Sequence, residues 1–95
     1  MATNTPVNIG NLIYTKPDFR GGRPCLVGTG TTVHTIVAAH LEGLSAEQIL
    51  EEFPYLDLGR IHAALAYYYA NQAQIDADFD ASRRLGEEFA DGDSQ

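Results

Sequence analysis

The spacing of apolar residues changes at residue 32 of this chain. Before that point Leu12, Ile13, Tyr14 and Thr15 form a short β-branched and aromatic run, and Pro24 to Val27 form a second. Both read as strands. Lys16, Pro17, Asp18, Phe19, Arg20, Gly21 and Gly22 lie between them as a turn, in which proline presets φ and the glycines allow positive φ. Residues 12–30 are therefore expected to form an antiparallel hairpin or a pair of short strands. A lone two-stranded ribbon is marginal in water, so it must pack on helices or pair with another copy. Residues 1–11, polar and without periodicity, read as a loose N-terminal arm.

From Thr32 the spacing is helical. Val33, Ile36, Val37, Leu41 and Leu44 share a face, with Thr31 or Thr32 as N-cap and Gly43 as the stop. Ser45 and Gln48 make an S-x-x-Q capping box ahead of Ile49, Leu50 and Phe53, and Pro54 ends that helix. Asp57 then caps a third helix, with Leu58, Ile61, Leu65 and Tyr68 on one face. Ile61, Leu65, Tyr68, Gln72, Ile75 and Phe79 continue at alternating spacings of four and three, with neither proline nor glycine between. That pattern predicts one long helix whose seam is too long for a small core to cover. The register breaks at Ser82 and Gly86, and an acidic tail follows. The expected fold is mainly α: a short β-hairpin, a three-helix bundle with a helix-turn-helix over residues 12–70, and a long C-terminal helical extension over residues 71–95.

A chain of 95 residues is one domain and gains stability from dimerisation. Its net charge of −7 is unevenly placed. Residues 1–44 carry Lys16, Arg20 and Arg23 against Asp18 and Glu42, a net +1; residues 45–95 carry eleven carboxylates against three arginines, a net −8. A DNA-binding face is usually basic, so the acidic half fits a basic protein partner better. The N-terminus has no signal-peptide pattern and no apolar run approaches a membrane span. The single cysteine, Cys25, suits a reducing cytoplasm and reads as a buried structural thiol.

In a helix-turn-helix the third helix is offered to the major groove, here through Gly59, Arg60, His62 and Ala63. Arg60 is the strong base or phosphate ligand among them, while Asp57 repels phosphate. The bland alternative is a trihelical scaffold that leaves the groove alone. Lys16, Arg20 and Arg23 are better placed for DNA if two hairpins pair across a dimer as a ribbon. Tyr67, Tyr68 and Tyr69 point three ways around a helix; with Ile61, Leu65 and Gln72 they make the candidate dimer interface. Ile75, Phe79, Leu85 and Phe89 lie among Asp76, Asp78 and Asp80, a pattern that suits a partner-binding segment or a solvated helix end. His34, His40 and His62 share no face and complete no ligand set, so no metal is expected. No cofactor, small-molecule substrate or catalytic constellation is expected either.

Residues from about 12 to 70 resemble the bacterial family known as domain of unknown function 433. The resemblance rests on Ile13 and Pro17; on Gly21 to Leu26 with Gly28 and Thr29; and on Gly43 to Ser45 with Glu47, Ile49, Leu50, Phe53, Pro54 and Leu56. Ile61, Ala63, Ala64, Leu65 and Tyr67 close the match. What it implies is a homeodomain-like trihelical fold preceded by short strands, and a VapB-like antitoxin role: holding a small nuclease-like (PIN-like) toxin inactive and repressing the shared operon. Where the family has arginine after Gly-Thr, this chain has Gly30, which weighs more against DNA binding than against toxin binding. A stand-alone transcription regulator is the alternative function.

Overall fold

The structure, a computed structural model, describes residues 8–93, with side chains described as far as Arg83. It opens with a 3-10 turn, Ile9–Leu12, in which the Asn8 side-chain oxygen accepts from the Gly10 N–H. Strand β1 (Ile13–Tyr14) then pairs antiparallel with β2 (Cys25–Leu26), Ile13 opposite Leu26 and Tyr14 opposite Cys25. The connecting turn runs through three consecutive residues of positive φ: Arg20 at 54°, Gly21 at 64° and Gly22 at 79°. The two glycines accept this freely; Arg20 does so as the one non-glycine in that region among the described residues.

Four helices follow: α1 (Val33–Leu41), α2 (Ala46–Glu52), α3 (Leu58–Ala70) and α4 (Gln72–Asp93). Each of the first three starts at the cap read from the sequence. The Thr32 hydroxyl accepts from the Thr35 N–H, Ser45 and Gln48 exchange both bonds of a capping box, and the Asp57 carboxylate accepts from the Arg60 N–H. Helix α1 ends in a Schellman turn in which Gly43 donates to the His40 carbonyl and Leu44 to that of Ala39. Gly43 has φ 101°, a conformation that costs little only for glycine. Because the Ser45 box satisfies two orphan donors at once, Ser45→Ala is expected to lower stability by about 1 kcal/mol; an unchanged urea midpoint would contradict it.

The expected single long helix is not observed. The chain leaves helical geometry at Asn71 (φ −131°, ψ 36°), where the side-chain amide donates to the Tyr67 carbonyl. The break turns α4 onto the body. Ile75 is then 1% exposed in the same cluster as Leu26, Val33, Ile36, Val37, Ile49, Ile61 and Tyr68. The spacing read as an open seam is thus split between two helices that share one core. Ile61 and Tyr68, expected at a dimer interface, are buried within their own chain; Leu65 and Tyr67 pack half-buried against it, and Tyr69 and Gln72 are exposed.

Candidate functional site

Among the described residues, three side-chain hydrogen bonds tie α4 to the rest. The Tyr68 hydroxyl donates to Asp76 at 2.8 Å, His34 Nε2 meets Asp78 Oδ2 at 2.9 Å, and Arg23 donates to the Ser82 hydroxyl at 3.2 Å. The Phe79 ring meets the His34 ring edge-on, centroids 5.5 Å apart. His34 is buried, and its Nδ1 has no hydrogen-bond partner among the described residues. Because a carboxylate oxygen only accepts, His34 Nε2 carries the proton of this bond and donates it to Asp78. The hydrogen bond from His34 holds the Asp78 carboxyl below its ordinary range; partial burial opposes this, while Gln74 and the charge of Arg23 support it. Its bond to the Asp76 carboxylate, reinforced by burial, raises the Tyr68 phenol above its ordinary value.

Two carboxylates expected to face a partner are therefore engaged inside the chain. Asp76 and Asp78 anchor α4, Ile75 is in the core and Phe79 is partly buried against it. Asp80 is exposed and pairs with Arg83 at 2.6 Å. Leu85 and Phe89 lie outside the described side chains.

Docking α4 beside α1 leaves an open groove of about 700 Å³. Ala38, Leu41 and Phe79 supply its apolar surface, and Asp76, Asp80 and Arg83 its polar one. Leu41 is 55% exposed on this groove. At the same end of the bundle Tyr69 is 58% exposed, its hydroxyl bonded to His40 Nε2 at 2.7 Å. Leu41, expected from its spacing to share the buried face, is the last residue of α1 and lies within the Schellman turn that ends the helix.

Two of the arginines expected to meet DNA are engaged within the chain. Arg60 binds the Val27 carbonyl through Nε at 2.9 Å and Asp57 at 2.8 Å, tying the start of α3 to the loop after β2. Ala63 is 2% exposed and faces the core, while Gly59 and His62 are exposed. Arg23 is turned to α4. Lys16 and Arg20 remain exposed on the hairpin turn, the Arg20 guanidinium 5.1 Å from the Phe19 ring centroid. No group of three or more metal-ligating side chains occurs among the described residues, and no helix among them is long and apolar enough to cross a membrane.

The strands and trihelical core coincide with a known family. The model for a protein of unknown function, DUF433, matches residues 13–68, from β1 into the last turn of α3. The chain belongs to the DUF433 family. A crystal structure of a DUF433 member protein from Anabaena variabilis superposes with a TM-score of 0.66 at 32% identity, covering 72% of this chain and 67% of that one. The uncharacterized protein y4eO of Sinorhizobium fredii is 37% identical over 60 residues. Those residues are 63% of this chain but only 27% of that relative's length. Helix α4 lies beyond the family match. One wall of the groove, with Ala38 and Leu41, thus belongs to the family core, and the other lies outside it. Gly30, where the resemblance leads one to expect arginine, has φ 72°, so any side chain there would be strained.

Proposed function

We propose that this DUF433 protein is an antitoxin-like binding module, which neutralises a small basic nuclease-like (PIN-like) partner and represses its own operon in complex with it. The observation that carries the reading is the groove between α1 and α4: an exposed leucine from α1 faces a phenylalanine and two carboxylates of α4, which belongs to the acidic half of the chain. Apolar anchors in such a groove supply binding energy, and the surrounding carboxylates select and steer a basic segment. The self-contained ties of Arg60 favour this over base reading through α3. A homodimer is part of the proposal, with exposed Tyr69 and Gln72 as the available remnants of the expected interface.

Cutting the chain at Ala70 would remove core residue Ile75, so the test uses a point variant. Tagged full-length chain and Leu41→Asp are each recovered from the native host, and co-purifying proteins are weighed intact. The expected result is a stoichiometric complex with a small basic protein that cleaves RNA when free and stops when the chain is restored. Leu41→Asp is expected to fold and to lose that complex by at least about tenfold, as a charge replaces an apolar anchor. A bare chain in both preparations, with steep salt-dependent binding to its own upstream DNA, would move the assignment to a stand-alone regulator.

A further inference from the structure

At the opposite end of α1 lies a second, polar cleft of about 320 Å³. Its walls are Arg20 from the hairpin turn, Thr29 and Thr31 from the loop after β2, Thr32 and Thr35 at the start of α1, and Tyr55 after α2. Among the described residues no carboxylate lines it, in a chain with 13 Asp and Glu against six Lys and Arg. We propose that this cleft holds a phosphate group, supplied by a nucleic-acid backbone or by a free phosphorylated ligand, with Arg20 as its counter-charge.

Hydrogen-bond counting supports a ligand with several acceptor oxygens. The Thr31 and Tyr55 hydroxyls share one bond at 2.8 Å, and those of Thr32 and Thr35 share one at 2.9 Å. Two hydroxyls joined by one bond use one of their two protons, so each pair keeps an O–H to donate outward. Thr29 is committed: its hydroxyl donates to the Leu26 carbonyl and accepts from the Thr31 N–H. Arg20 is propped by Phe19 and has no ion-pair partner among the described residues. Thr32 and Thr35 are the N-cap and third residue of α1, so the positive end of the helix dipole borders the same space. Donors thus come from the turn, the helix start and Tyr55. That spread suits a tetrahedral anion better than a planar carboxylate, which offers its acceptors in one plane. The site does not depend on the partner groove, which uses Ala38 and Leu41 at the other end of α1.

The test follows backbone amide resonances of the full chain while inorganic phosphate, or a short DNA duplex of mixed sequence, is added. The amides of Thr29, Thr31 and Thr35 are expected to shift with at least one probe. Arg20→Gln is expected to weaken that binding about tenfold, the loss of one charge-assisted contact, without changing the unfolding midpoint. Thr35→Val, which removes a hydroxyl and keeps the shape, supplies the same reading should Arg20→Gln fold poorly. Shifts with the duplex alone identify a nucleic-acid backbone, and shifts with phosphate alone a small phosphorylated ligand. Silence with both probes, shifts confined to the start of α3, or full binding by both variants would overturn the assignment.

Discussion

Replacing Ile75 with alanine is expected to lower the stability of the whole domain by about 2–5 kcal/mol. Ile75 is the residue through which α4 enters the core formed by β2 and the other three helices, and it is 1% exposed there. Truncating it removes buried apolar atoms and leaves a cavity between α3 and α4. At a surface position the same change moves stability by no more than about 0.5 kcal/mol, so the two pictures of α4 separate cleanly. In a domain of this size the core value corresponds to a fall of about 10 °C or more in the thermal midpoint. Hydrogen exchange of the variant should show α4 losing protection before α1 and α3 do. A midpoint within a degree or two of wild type would mean that α4 is a solvated extension, and the groove would lose its second wall.

The Asp78→Ala variant carries the next largest effect. It leaves the His34 Nε2–H without its acceptor, and His34 is only 3% exposed. A buried donor stripped of its partner costs about 1–3 kcal/mol. The contact also makes stability depend on pH, with a definite sign. Asp78 is held below its ordinary value of 3.8 in the folded chain. Its contribution is therefore complete above the unfolded carboxylate's pKa and is lost as pH falls through the lower folded value. Wild type and Asp78→Asn, compared by urea unfolding, should differ at neutral pH and converge in acid. Parallel curves across that range would remove the clasp from the account of α4.

The parts of the fold legible in the sequence are those whose cause lies within a few residues. The Thr32, Ser45 and Asp57 caps, the Gly43 stop and the end of α2 before Pro54 each join groups no more than five positions apart. Their chemistry is the same whatever the rest of the chain does. The strand pair was legible for a similar reason, since proline and two glycines mark its turn.

The candidate sites were less legible because their parts are far apart in the chain. His34 and Asp78 are separated by 44 positions, Arg60 and the Val27 carbonyl by 33, and Thr31 and Tyr55 by 24. His34 carried one usable sign: it stands in α1 on the side of Val37 and Leu41, three and seven residues on, where a polar side chain needs a partner. Nothing local names Asp78 as that partner. The apolar spacing from Ile61 to Phe79 is compatible with one straight helix or with two, since Asn71 is an ordinary helix residue by propensity alone. The sequence by itself therefore determined the trihelical DUF433 core, its caps and its uneven charge, because those follow from local periodicity and composition. Tertiary structure alone decided that α4 turns back at Asn71. Burying Ile75, together with the Asp78 and Asp76 bonds, outweighs continuing the helix into solvent, and the same turn engages two carboxylates internally and opens the groove beside Leu41.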